Sequence, residues 1–361
     1  MQTLRLLINT QTLDIPIFVG SNLWDDIKNH LKKHFSTYSI FVISDSIVAE
    51  LHSQKIQSEL KTIQGFRGIL TFPAGEQSKN RQAKENLENQ LLKQKAGRDT
   101  VLIAIGGGVT GDLAGFVAAT LHRGVSLIHV PTSLLAQVDS SIGGKVGINH
   151  SMGKNLIGAF YQPNAIFIDI NFLQTLPQEE FINGMAEVIK YGVTLDEDLW
   201  DLVDRESRRI LERDSIILEK LIERCIQLKI KVVEHDEKEI AFRSILNFGH
   251  TIGHAIEKLS NYEIKHGQAI SFGMKIAVRL SQKLCGFPME QIERLEKTLD
   301  LYGLNFSFQN DFPINEVWET IIRDKKTRQK IPHFTLLKNT LQAELFYPVQ
   351  KETLEYVYNH S

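Results

Sequence analysis

Residues 247–257 read Asn-Phe-Gly-His-Thr-Ile-Gly-His-Ala-Ile-Glu and place His250 and His254 four positions apart. On a helix this spacing projects both imidazoles from one face. A third histidine, His266, follows a turn-like Asn-Tyr-Glu segment. Neutral imidazoles converging on one point are the ligands that Zn²⁺ and similar ions take. A zinc peptidase helix would carry Glu directly after its first histidine as general base. Thr251 stands there instead, so the pattern suggests a metal site and argues against a peptidase. The alternative for an isolated His-x-x-x-His is a pair of ordinary surface or core histidines.

Other residues could join such a site. Glu187 and Lys190, three apart, are neighbours if helical. They form either a surface ion pair or, through Glu187, the carboxylate of the mixed His/carboxylate set typical of catalytic zinc. Lys229, Glu239, Arg243 and Asn247 lead up to the histidines, and a helix running through Arg243, Asn247 and His250 would turn all three one way.

Gly106-Gly107-Gly108-Val109-Thr110-Gly111 fits G-x-G-x-x-G between an apolar strand pattern and a helical one. Glycines there let a pyrophosphate approach the N–H groups of a helix start; the alternative is a merely structural turn. The acidic residue usual about 20 positions on is missing, but Asp45 ends an earlier strand pattern and could serve a ribose. Thr132 and Ser133 add hydroxyls at the same sheet edge. Asp139, Lys145, Lys154 and Asn155 crowd a Gly-rich segment that reads as a long ordered loop. It is either solvated or a pocket for a phosphorylated or carboxylated small molecule, to which Arg123 could add a guanidinium.

The elements that must position these residues fall into two groups. Ile40–Ser44, Gly68–Phe72, Val101–Ile105, Val125–Val130 and Asn164–Ile168 read as strands alternating with helical patterns, after a small hairpin from Leu4–Ile8 and Ile15–Val19. This predicts an α/β fold with a Rossmann-like, doubly wound parallel sheet. Beyond Pro177 the patterns are helical, at 179–191, 196–213, 216–234, 245–259, 267–285, 288–302 and 314–322. The expected division is a nucleotide-binding α/β domain over 1–176 and a mostly α-helical metal- and substrate-binding domain over 177–361. A chain of 361 residues is long enough for two cores. A formal charge of −2 gives no reason to expect nucleic acid or anionic membranes as partners. Two cysteines far apart, Cys225 and Cys285, form no disulfide framework and are expected to be packing residues. No apolar run of about 18 residues and no signal-like N-terminus occur, which predicts a cytoplasmic protein.

Several longer stretches together resemble 3-dehydroquinate synthase. They are Pro73 to Lys79, Gly106 to Phe116, Val130 to Phe160, Leu176-Pro177, Ala186 to Gly192, Asp236 to Glu239, Asn247 to Glu257, His266-Gly267 and Asp324 to Lys326. The resemblance implies NAD and one divalent metal, Zn²⁺ or Co²⁺. It implies conversion of 3-deoxy-D-arabino-heptulosonate 7-phosphate to 3-dehydroquinate and phosphate, by transient oxidation, phosphate elimination, re-reduction and internal aldol closure. Carried over position by position, the metal ligands would be Glu187, His250 and His266, with His254 and Glu239 in acid/base roles. NAD contacts would come from Asp45, Glu76, Gln77, Ser78, Lys79, Gly107, Gly108, Val109, Thr110, Gly111, Asp112, Thr132, Ser133, Lys145, Lys154, Phe172, Leu173, Gln174 and Thr175. Substrate contacts would be Asp139, Lys145, Asn155, Lys190, Lys229, Arg243, Asn247 and Lys326. Arg123 would reach the partner subunit's site in a homodimer. The chain departs from the family pattern at Ile47, Ala74, Ser133 and Val146, all near the expected nucleotide. Three other readings are a different sugar-phosphate cyclase, of deoxy-inosose or valiolone type, a metal-dependent polyol dehydrogenase, and a catalytically dead nucleotide-binding module, which would need losses among the metal or acid/base positions. Lys229, Asn247 and His254 favour the dehydroquinate reading over the first, and the lysine-rich pocket over the second.

Overall fold

The computed structural model describes residues 13–239, 241–324 and 331–360. A six-stranded sheet is built from β1 (Ile17–Gly20), β2 (Ser39–Asp45), β3 (Phe66–Phe72), β4 (Thr100–Gly106), β5 (Ser126–Pro131) and β8 (Ala165–Asp169). Its order is β1-β8-β5-β4-β2-β3, and every neighbouring pair is parallel. β4 is buried along its whole length, which explains its unbroken apolar run. Val101, Ile103 and Ile105 face a core shared with the helices Trp24–His34 and Ser46–Leu60. Leu102 and Ala104 face the opposite core, under the helices Arg81–Lys93 and Gly108–Thr120. The doubly wound expectation holds.

Two details of this half differ from expectation. Ile17–Gly20 pairs in parallel with β8 and is the sheet's edge, not a hairpin arm; Leu4–Ile8 lies outside the described residues. The Gly-rich loop is an antiparallel hairpin of β6 (Lys145–His150) and β7 (Gly153–Phe160). Gly147 and Gly158 lie opposite each other, and a Cβ on Gly158 would sit 2.1 Å from the Val146 carbonyl oxygen. The glycines thus let the two strands close.

Helices Gln178–Leu195, Glu197–Arg205, Ser207–Leu211, Ser215–His235, His250–Leu259, His266–Cys285, Met289–Leu301, Ile314–Asp324 and Lys351–Asn359 fill most of the second half. The pattern at 196–213 breaks into two helices at Glu206. A further antiparallel hairpin, β9 (His333–Asn339) with β10 (Gln342–Pro348), went unread in the sequence. The helix expected through Arg243, Asn247 and His250 is interrupted. A 3₁₀ segment Phe242–Asn247 ends, Gly249 turns left-handed at φ 80°, and a new helix starts at His250. One hydrophobic cluster joins Ile166 and Ile168 of β8 to Phe181, Met185, Leu221 and Met274, so the two halves share a core. Among the described residues no helix is long and apolar enough to cross a membrane.

Candidate active site

The helix His250–Leu259 presents His250 and His254 on one face, and the helix His266–Cys285 opens with His266. Glycines let these two helices touch: a Cβ on Gly273 would lie 2.0 Å from the Gly249 carbonyl oxygen, and one on Gly253 would lie 2.5 Å from Ile270. The start of the second helix is pinned to a third, because Gly267 N–H donates to Asn183 Oδ1 at 2.5 Å. One turn beyond Asn183, the Gln178–Leu195 helix delivers Glu187.

The result is a compact donor set. His250 Nε2 and His266 Nε2 lie 3.3 and 3.2 Å from the same oxygen, Glu187 Oε1. Ligands about 2.0–2.1 Å from a tetrahedral ion sit roughly 3.3 Å from one another. His250 Nδ1 is 3.1 Å from the Phe248 carbonyl oxygen, an acceptor only, so Nδ1 carries the proton and Nε2 offers its lone pair inward. Glu187 is 1 % exposed, and its Oε2 meets the Lys190 ammonium without hydrogen-bond geometry. The Glu187–Lys190 pair is therefore buried, and the surface alternative falls away. Burial works to raise the Glu187 carboxyl, but Lys190 and His250 hold it well below the usual carboxylate range. Burial likewise opposes charge on His266, yet Glu257 and Glu187 on either side push it up to about 10. Two imidazole nitrogens and a carboxylate oxygen converging within 4.8 Å of one another fit a divalent metal.

His254 lies beside the set and half-exposed. Its surroundings and then His250 lower its pKa, and the ring is neutral near pH 7.

Next to the metal set is a charged cluster. Asp139, in the short π-helical turn Ala136–Ser140, accepts from Lys229 Nζ at 2.5 Å and from the Tyr191 hydroxyl. Burial would raise Asp139, but Lys229 and Lys190 hold it down at about 2. Burial lowers the Lys229 pKa against the pull of Asp139. Lys145 Nζ pairs with Glu239, whose other oxygen accepts from Asn247 Nδ2 at 2.8 Å. The Lys145 side chain is half-exposed, yet its surroundings, then Arg243 and Lys229, lower it to about 8. Arg243 donates to the Glu237 carbonyl and lies against Gly143. Three lysines and an arginine gathered this closely, each of the lysines paired with a single carboxylate, suit exchange of those partners for the phosphate or carboxylate of a ligand.

Most of the expected nucleotide residues gather at the other side of the hairpin, whereas Lys145 and Lys154 pair with Glu239 and Glu257. β4 ends at Gly106, and the helix Gly108–Thr120 starts with no side-chain cap, leaving its first N–H groups for an anion. A Cβ on Gly107 would come 3.3 Å from Ser133 Oγ, and one on Gly108 3.1 Å from Ser140 Oγ, so side chains would fill this cradle. Val109, Thr110 and Gly111 form the first turn, and Thr132 N–H donates to the Gly106 carbonyl. Glu76, Gln77 and Ser78 make a 3₁₀ turn tied to the hairpin by Asn149, which donates to Glu76 Oε1 at 2.7 Å. Lys79 donates to Asp112 and to Asn155 Oδ1, so Asn155 joins the nucleotide group instead of the Asp139 cluster. Asp45 caps the Ser46–Leu60 helix and accepts from Thr110 Oγ1 at 3.1 Å. Phe172, Leu173, Gln174 and Thr175 follow β8, where Thr175 Oγ1 lies 2.9 Å from His52 Nε2.

Two expected residues stand apart. Arg123 is exposed at the far end of the Gly108–Thr120 helix, about 20 Å from the glycine turn at 1.5 Å per residue. Lys326 lies outside the described residues. Two residues of the site were not singled out from sequence. Glu257 ends the histidine stretch, three after His254 and so on the same face; Tyr191 directly follows Lys190.

Models of the N-terminal and C-terminal regions of 3-dehydroquinate synthase match residues 69–183 and 184–327. A 3-dehydroquinate synthase of Pelobacter propionicus is 42% identical over 331 residues, 91% of this chain and 92% of that protein. Among solved structures, a 2-deoxy-scyllo-inosose synthase complexed with carbaglucose-6-phosphate, NAD⁺ and Co²⁺ is 27% identical, with TM-score 0.84 over 96% of both chains. A 2-epi-5-epi-valiolone synthase from Streptomyces hygroscopicus, with NAD⁺ and Zn²⁺ bound, shares the fold at TM-score 0.90 and 21% identity over 99% of both chains. With both halves matched and 42% identity across nine-tenths of its length, the chain belongs to the 3-dehydroquinate synthase family.

Proposed function

We propose that this chain is a 3-dehydroquinate synthase, a phosphate-eliminating carbon–oxygen lyase that uses NAD and one divalent metal, Zn²⁺ or Co²⁺. The observation that carries the reading is the convergence of Glu187, His250 and His266 beside a cluster of cationic groups. Glu187, His250 and His266 would hold the metal and the glycine turn the NAD, together supplying a Lewis acid and a reversible hydride acceptor.

The chain's own residues account for the remaining steps. Lys145, Lys190, Lys229 and Arg243 bind the phosphate and carboxylate of the substrate and fix its orientation. Asp139 sits among them as the counter-charge that keeps Lys229 protonated and in place. Glu239 can accept a proton at the oxygen facing Lys145, while Asn247 holds its other oxygen. His254, neutral and half-exposed beside the metal set, stands where its ring can relay a proton between the site and solvent. Asn155 and Lys79 orient the hairpin over the glycine turn. The same reading expects two domains, 1–176 and 177–361. It also expects a cytoplasmic homodimer in which Arg123 serves the partner's site, consistent with its exposed place remote from its own glycine turn.

The test is turnover. Purified protein given NAD⁺, metal and the heptulosonate phosphate should release phosphate with no net NADH. Stoichiometric NADH would overturn the reading in favour of a polyol dehydrogenase. The 27% identity to a deoxy-inosose synthase makes another cyclase the second reading. Inactivity here, with turnover of glucose 6-phosphate or sedoheptulose 7-phosphate, would support that instead.

A further inference from the structure

Glu257 is 2 % exposed, a carboxylate closed off from water in the last turn of the His250–Leu259 helix. A buried carboxylate is costly unless each oxygen finds a partner. Glu257 Oε1 accepts from Lys154 Nζ at 2.8 Å, and Oε2 lies 3.4 Å from His266 Nδ1. Lys154 comes from β7, on the other half of the molecule, and its ammonium also sits 4.3 Å above the Tyr262 ring. The carboxylate therefore bridges the hairpin and the metal-site histidine.

We propose that Glu257 is a positioning residue of the metal site: it accepts from Nδ1 of His266 and so directs Nε2 of that ring toward Glu187 and His250. Lys154 neutralises the oxygen that His266 does not use. The imidazole has two nitrogens, and a carboxylate at one fixes both the tautomer and the ring plane while making the other a stronger donor. His250 receives the same service from the Phe248 carbonyl, 3.1 Å from its Nδ1. Both ligand rings thus have their outer nitrogen engaged and their inner one free.

One geometric alternative makes Glu257 a ligand itself, since His254, Glu257 and His266 also come within 4.8 Å of one another. The charges oppose it. A lysine ammonium already stands 2.8 Å from the carboxylate, and a cation using His266 Nδ1 would have to draw that ring away from Glu187.

The inference rests on the metal reading at Glu187, His250 and His266, and the experiment separates the two. Bound metal is measured by elemental analysis, and Zn²⁺ affinity by competition with a chromophoric chelator. The proteins are wild type, Glu257→Gln, His250→Ala, His266→Ala and the Glu257→Gln/His266→Ala double variant. The Co²⁺-loaded forms are compared by visible absorption. Glu257→Gln should still load one equivalent at saturating metal, with affinity lowered about 10–100-fold and an altered Co²⁺ spectrum. In the His266→Ala background the same change should shift the residual affinity less than about twofold, because the effect runs through His266. Unchanged affinity in Glu257→Gln would overturn the proposal. So would complete loss of metal matching His250→Ala, which would make Glu257 a ligand. Wild type without stoichiometric metal would remove the metal reading itself and the proposal with it. Should Glu257→Gln not fold, Glu257→Asp, which keeps the charge but withdraws it by one methylene, is judged by the same criteria.

Discussion

The residues of this site work as pairs of opposed charges whose burial sets their protonation. Lys145 shows how this bears on activity. Its ammonium pairs with Glu239, yet its surroundings and then Arg243 and Lys229 bring its pKa down to about 8. A depressed lysine keeps its charge below that value and loses it above, so anion binding should weaken as pH rises through about 8. The profile of kcat/KM reports groups of the free enzyme. It should therefore decline above about pH 8, and Lys145→Arg, which stays charged, should move that limb upward by a unit or more. An unmoved limb would mean that another group controls it. Spacing in the sequence made Glu187 and Lys190 neighbours but could not tell a surface pair from a buried one. Thirteen of the eighteen residues of Gln178–Leu195 are buried, so no polar face marks which side meets water. Glu257 was legible only as a third residue on the His254 face. Its partners, Lys154 and His266, come from two other elements, and contacts of that kind leave no periodic trace.

At the scale of elements, most of the sheet could be read because its strands are continuous apolar runs separated by helical periods. The hairpin β6–β7 escaped because its alternation is broken by glycines and lysines, and the exposed face of β7 carries Leu156 and Phe160. The break at Gly249 escaped because only the tertiary contact explains it. A Cβ there would lie 2.9 Å from Met274 N, against the helix that carries His266. The distance between His250 and His266 is thus set by glycine backbones in contact. Gly273→Ala would place a methyl group 2.0 Å from the Gly249 carbonyl and force the two helices apart. Overpacking of this kind costs about 1–3 kcal/mol. The expected result is a loss of that size in denaturant unfolding of the metal-free protein, together with weaker Zn²⁺ binding. Retained affinity at reduced stability would show that the histidines tolerate the shift.

At the scale of the whole molecule, the two halves are joined by a common apolar core and, inside it, by the Asp139 network. Asp139 belongs to the turn after β5, Tyr191 and Lys229 to two helices of the second half, and all three side chains meet at one carboxylate. That carboxyl is held at about 2, below its ordinary 3.8, by Lys229 and Lys190 against the cost of burial. A group depressed on folding contributes stability above its unfolded pKa and loses it as pH falls through its folded one. The contribution of Asp139 should therefore be fully present above about pH 4 and vanish toward about pH 2. A shift of this size corresponds to something on the order of 2 kcal/mol. Asp139→Asn removes the titrating group while keeping its shape, and it leaves Lys229 without a counter-charge, so the variant should be less stable near neutral pH. Denaturant unfolding of both proteins from pH 7 downward should show a constant gap to about pH 4, then a narrowing one as the wild-type carboxyl takes up its proton. A gap independent of pH would mean that the network contributes through shape and hydrogen bonding, and that charge pairing across the two halves contributes little to holding them together.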